Sequence, residues 1–142
     1  MASSYTAVVT ATREGRSGGR ASASDGLLDV TLAVPKEFGG AGGGTNPEQL
    51  FAAAWSACFV GALKRAAAQR HVPAKVLGVT AEVTLHHSDT DEFDLGAVLR
   101  IELSGVDQRT ADALGADAHR LCPFSKATRD NIPVAIEATV VA

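Results

Sequence analysis

Two sulfurs are the residues in this chain best suited to redox chemistry. Cys58 and Cys122 are its only cysteines. Two thiols suffice for one redox pair, but not for a zinc site unaided or for a disulfide framework. Cys58 lies within Leu50–Leu63, where only Ser56 is polar, so its plain reading is a small hydrophobe in a core. Burial raises a thiol's pKa unless a cation stands near it. Cys122 precedes Pro123 and caps a short helix, where free N–H groups and the helix dipole favour a thiolate. Both cysteines are expected to point into buried space. Cations are available in the loop Arg13-Glu-Gly-Arg16-Ser-Gly-Gly-Arg20, whose plain reading is a solvated loop. Glu48 falls at a helix start, where a carboxylate already satisfies the dipole.

Other chemistries find less support. The glycines at 39, 40, 42, 43 and 44 are followed by no G-K-[ST], and Glu48 would repel an anion there, so no phosphate loop is expected. His86 and His87 are neighbours in a strand and face opposite ways. His119 and Cys122 lack further metal ligands. Asp89, Asp91 and Asp94 lack the pattern of a calcium loop, and no G-x-S-x-G occurs. Neither a metal nor a cofactor is expected.

The elements that must position these residues read clearly. The 142 residues are 46% apolar and 20% charged, with a net charge of −3, ordinary for one globular domain over 1–142. There is no basic footprint for nucleic acid or anionic lipid. No apolar run approaching the ~18 residues of a membrane helix is expected, and no secretory leader is seen at the N-terminus. The default compartment is the reducing cytoplasm. Strands are expected over Tyr5–Thr12, Ala21–Ser24 and Leu27–Val34, the last two joined by a two-residue turn at Asp25-Gly26. Pro35–Thr45 is expected to lack regular structure. A helix starts with Asn46 as cap and Pro47 at its first position, and runs to about Arg70. Being apolar nearly all round, it is expected to be buried, partly by another subunit. Val76–Ser88 and Phe93–Leu103 read as strands, Asp107 caps a second helix, and Val134–Val141 closes the chain. Strands grouped around two helices favour an α+β fold.

Thr45-Asn-Pro-Glu-Gln-Leu-Phe-Ala-Ala-Ala-Trp-Ser-Ala-Cys-Phe59 resembles the central-helix motif of the organic hydroperoxide resistance (Ohr) branch of the Ohr/OsmC family. Leu121-Cys-Pro-Phe-Ser-Lys-Ala-Thr-Arg129 resembles that branch's second cysteine motif. Asp25-Gly-Leu-Leu-Asp-Val and Val34-Pro-Lys-Glu-Phe-Gly-Gly match as well, so the resemblance spans nearly the whole chain. It implies antiparallel-rich sheets around a long buried central helix in an intertwined homodimer, with active sites at the subunit interface. It implies a thiol-dependent peroxidase for organic hydroperoxides, with Cys58 as the peroxidatic and Cys122 as the resolving cysteine. Glu48 matches the family's functional glutamate. Gly15-Arg16-Ser17-Gly18 best fits the turn that carries its arginine, with Arg20 as the second choice. The resemblance also points to lipoyl-bearing proteins as the dithiol reductant. The chain departs from the family pattern at Ala54-Trp55, where Gly-Tyr is usual, and at Phe124 and Lys126.

On this reading Cys58 attacks the peroxide, Arg16 stabilises the thiolate and the developing charge, Glu48 orients Arg16, and Cys122 closes a disulfide. Glu48 and Cys58 are ten helical positions apart, ~15 Å along the axis, so they do not touch within one chain. Phe51, Trp55, Phe59 and Phe124 are candidate walls of an apolar substrate pocket, with plain core or dimer interface expected for at least two of them. Two alternatives remain open: a peroxidase of the OsmC branch with broader specificity, and a non-enzymatic lipid-binding or redox-sensing dimer.

Overall fold

A computed structural model describes residues 2–142. The chain is α+β and divides into two compact units, one up to Leu50 and one over Phe51–Ala142.

The first unit holds three short antiparallel strands, β1 (Val9–Ala11), β2 (Arg20–Ala23) and β3 (Asp29–Thr31), in the order β1-β2-β3. β1 and β3 are shorter than the sequence predicts, β2 keeps its expected four residues but starts one residue earlier, and β1 is exposed throughout. With so little apolar surface to bury, regular pairing holds for only a few residues. The β2–β3 hairpin also departs from expectation. Ser22 faces Asp29, and the Ala23 N–H bonds to the Leu28 carbonyl, so the loop is four residues rather than two. Gly26 within it adopts φ +76°, a value that favours glycine. Between β1 and β2 a single 3-10 turn, Gly15–Ser17, carries Arg16. Gly19 closes this loop so tightly that a Cβ there would lie 2.6 Å from Thr12 Oγ1. Pro35–Thr45 is more ordered than predicted. It contains a 3-10 turn, Lys36–Phe38, and Thr45 returns to exchange backbone hydrogen bonds with Thr31 and Ala33.

Helix α1 spans Pro47–Arg70. Asn46 caps it by accepting the Gln49 N–H at 2.9 Å, satisfying a donor with no partner inside the helix. It ends where His71 turns to φ +55° and the Val72 N–H reaches back to Ala67. Contrary to the sequence expectation, α1 contains an 18-residue window apolar enough to cross a membrane by length and composition, with mean hydropathy 1.2. A core helix passes the same test, and Trp55, Phe59, Ala62, Leu63, Ala66 and Ala67 are buried here. Burial covers only 33% of that window, less than a helix buried all round.

The second unit is built on a sheet of β4 (Lys75–His87), β5 (Phe93–Ser104) and β6 (Val134–Val140), in the order β4-β5-β6. β4 and β5 are antiparallel, whereas β5 and β6 are parallel. The crossover between β5 and β6 carries α2 (Gln108–Leu121) and the short α3 (Pro123–Thr128). Asp107 caps α2 by accepting the Thr110 N–H at 2.8 Å. Gly115 lets α2 lie close to the sheet, since a Cβ there would approach Ile136 and Ile101 to 3.1 and 3.2 Å. Leu99, Ile101 and Leu103 of β5 join Trp55, Phe59, Leu63 and Leu114 in a fully buried core. Each such side chain contributes about 1.5–3 kcal/mol on burial.

Candidate functional site

Cys58 occupies the fourth turn of α1, and Cys122 sits at the joint between α2 and α3. Cys122 is fully buried, whereas Cys58 is only half-buried, so it points less deeply into the core than its neighbours suggest. Both are free thiols. The fold brings them together. Burial pushes the Cys58 thiol up from its ordinary value, and the adjacent Cys122 side chain pushes it further, through charge and through direct interaction. Each effect disfavours the anion that a nucleophile needs.

Cys122 owes its place to local structure. Its N–H closes the end of α2 on Ala118 at 2.8 Å, and its carbonyl accepts the Lys126 N–H at 2.9 Å to open α3. Pro123 occupies the first position of α3, where its missing N–H costs nothing. Thr128 fastens the far end by donating to the Phe124 and Ser125 carbonyls.

A buried hydrogen bond accompanies the thiols. Trp55 Nε1 donates to Ser125 Oγ at 3.1 Å, and both side chains are fully buried. Such a bond contributes about 1 kcal/mol net, and stranding one partner costs about 1–3 kcal/mol. Phe51 packs edge-on against Trp55, with centroids 5.6 Å apart. Of the four candidate pocket aromatics, Trp55 and Phe59 are core, Phe51 is half-buried and Phe124 is exposed. Ser125 was not among the site residues read from the sequence. Its one signal is spacing: it follows Cys122 by three residues, as Cys58 follows Trp55.

The first unit pairs its charges separately. Arg16 donates through Nη2 to Glu48 Oε1 at 2.7 Å and through Nη1 to Oε2 at 3.5 Å, a lopsided two-point contact. The Arg16 side chain is 43% exposed and that of Glu48 16%, so the carboxylate is sheltered while the guanidinium keeps an open side. Arg20 is engaged elsewhere. Its Nε and Nη2 hold the two Asp29 oxygens at 2.5 and 2.7 Å. Those hydrogen bonds lower the Asp29 pKa and raise that of Arg20.

Among the described residues, no group of three His, Cys, Asp or Glu side chains is placed to hold a metal ion. His87 stacks on Phe93 with centroids 4.3 Å apart and pairs with Asp91 at 2.7 Å.

Comparison with known proteins sets this arrangement in a family. Residues 40–137 match the model of the OsmC-like protein family. The organic hydroperoxide resistance protein of Xanthomonas axonopodis pv. citri is 46% identical over 138 residues, covering 93% of this chain and 92% of its own. The organic hydroperoxide resistance protein OhrB of Bacillus subtilis is 39% identical, covering 94% and 96%. Among solved structures, an organic hydroperoxide resistance protein from Legionella pneumophila superposes with a TM-score of 0.90 at 39% identity, covering 98% of this chain and all of that one. The crystal structure of the Bacillus subtilis OhrB gives 0.84 at 38% identity, covering 95% and 98%. The chain belongs to the OsmC-like family, in its organic hydroperoxide resistance branch. Its relatives support a role in peroxide resistance.

Proposed function

We propose that the protein is a thiol-dependent peroxidase that reduces organic hydroperoxides, including lipid-derived ones, to alcohols. The observation that carries this reading is the pair of free thiols, Cys58 on α1 and Cys122 at the α2–α3 joint, with side chains that interact. The Cys58 thiolate attacks the distal peroxide oxygen. The O–O bond breaks, the alkoxide takes a proton and leaves as alcohol, and Cys58 becomes a sulfenic acid. The Cys122 sulfur then attacks the Cys58 sulfur. The S–S bond forms, the S–O bond breaks, and hydroxide leaves with the Cys122 proton as water. The two thiols supply the two electrons, and an external dithiol restores them by exchange.

Burial and Cys122 both oppose the Cys58 thiolate, so the chemistry needs a cation to offset them. Arg16 is the proposed source. Its open guanidinium, aimed by Glu48, would favour the thiolate and stabilise charge on the breaking O–O bond. Arg20 suits this less, since Asp29 already takes the Nε–Nη2 edge of its guanidinium. A homodimer is part of the proposal: much of the apolar α1 is uncovered in one chain, and a second copy would shield it. A lipoyl-bearing protein is the proposed reductant, and the reducing cytoplasm the compartment. Apolar walls favour alkyl over hydrogen peroxide, since each buried methylene contributes about 0.8 kcal/mol.

A peroxide-consumption assay with cumene hydroperoxide and dihydrolipoamide tests the proposal. Turnover well beyond one equivalent, with organic peroxide preferred over hydrogen peroxide, is the expected result. Consumption that stops at or below one equivalent would defeat it.

A further inference from the structure

The Trp55–Ser125 hydrogen bond ties together the two elements that carry the sulfurs. Trp55 precedes Cys58 by three residues on α1, so the two share one helix face. Ser125 follows Cys122 by three residues, one turn into α3. Among the described residues, the 3.1 Å bond from Trp55 Nε1 to Ser125 Oγ is the one side-chain hydrogen bond that joins α1 to α3. Both groups are fully buried, so water does not compete for either. At six residues α3 is too short to hold its own orientation, and its contacts must set it. Disulfide formation is demanding in this respect. The bond needs Cα atoms within about 7 Å and a torsion near 90°, so a shift of about 1 Å in one element matters greatly.

We propose that Trp55 and Ser125 are positioning residues for the resolving step, in which Cys122 displaces hydroxide from the Cys58 sulfenic acid. This inference rests on the peroxidase reading above. The bond acts on closure of the disulfide and not on attack at the peroxide, because it fixes α3, the element that follows Cys122, and both its groups are fully buried. Trp55 fills core volume in either case. Its indole N–H is what sets the orientation of α3, and through α3 that of Cys122.

Rapid mixing of the reduced full chain with cumene hydroperoxide separates the two steps. Sulfenic acid is trapped with dimedone and disulfide is counted by loss of free thiol. Ser125→Ala is expected to leave the rate of peroxide attack within about two-fold of the parent. Closure should slow about ten-fold, and the dimedone-trapped fraction should rise accordingly. Trp55→Phe keeps the aromatic volume, removes the donor and should give the same split. The double variant should be no slower than either single one, as expected of two partners in one bond. Trp55 is the only tryptophan, so emission from the parent protein should change at the rate of closure. Should Ser125→Ala fail to fold, Trp55→Phe and the emission change carry the test.

Closure at the parent rate in the folded single variants would overturn the inference. So would equal slowing of both steps, additive losses in the double variant, or emission that does not change on closure. A parent chain that consumes no peroxide and forms no Cys58–Cys122 disulfide would defeat the peroxidase reading, and this inference with it.

Discussion

Arg16 is held by a single 3-10 turn and one lopsided ion pair. Cys58 and Cys122 are held by a 24-residue helix, a 14-residue helix and a common apolar core. The first arrangement leaves a guanidinium 43% exposed and at the end of a flexible side chain. The second fixes a fully buried sulfur to within the tolerance of packed side chains. The contrast matches the proposed tasks. A charge acts over several ångströms and tolerates play, whereas closing a disulfide does not. The group that must be placed most accurately is therefore the one built into the core.

Several substitutions would break or sharpen this contrast. The largest effect is expected at Cys58. Cys58→Ser should abolish catalytic consumption of organic hydroperoxide, a loss of at least about a thousand-fold, and retained turnover would remove the thiol half of the account. Cys122→Ser should consume about one equivalent of peroxide and then fail to cycle with dithiol, because the sulfenic acid has no resolving partner.

Arg16→Ala should slow the first step by about 10²–10³-fold. It should also move the pH midpoint of that step upward. Removing the cation leaves burial and Cys122 to act alone, and both raise the Cys58 pKa. Arg20→Ala should stay within about two-fold, and the reverse order would exchange their roles.

Leu99→Ala in the core should cost about 2–5 kcal/mol by chemical denaturation. Val9→Ala on the exposed β1 should stay within about 0.5 kcal/mol. A small, pH-dependent effect concerns Asp117, which accepts Arg70 Nε at 2.5 Å and Arg120 Nη1 at 3.0 Å. Its pKa lies below the usual carboxylate value, chiefly through the Arg70 hydrogen bond. A carboxylate depressed in the folded state stabilises above its unfolded pKa of about 3.9, and that contribution fades as pH falls through the folded value. Asp117→Asn should thus cost less than about 1 kcal/mol at neutral pH, since both arginines are largely exposed. The difference between variant and parent should shrink below about pH 4.

What could be read from the sequence depended on how local the signal was. The start of α1 is written in Asn46-Pro47-Glu48, and Asp107 marks that of α2, because a cap involves neighbours three residues apart. The long strands β4 and β5 showed in their alternation. The lengths of β1 and β3 did not, since alternation says nothing about how much surface a short exposed strand will bury. The four-residue hairpin loop escaped for a similar reason: Asp25-Gly26 marks a turn without fixing the register around it. Cys58, Cys122, Arg16 and Glu48 were marked by residue type and motif. Ser125 was not, because its partner Trp55 lies 70 positions away and only the fold brings them together. The depth of Cys58 was likewise hidden. An all-apolar helix announces burial without saying which face one chain covers.

The account stands most directly on the redox pairing of two sulfurs. Reduced protein should be treated with one equivalent of cumene hydroperoxide, and its peptides then mapped by mass without reduction. The expected product is a single link between the peptides that carry Cys58 and Cys122, lighter by two hydrogens, with no thiol left to alkylate. Oxidation of Cys58 alone, with Cys122 still fully alkylated after the peroxide is spent, would contradict the account.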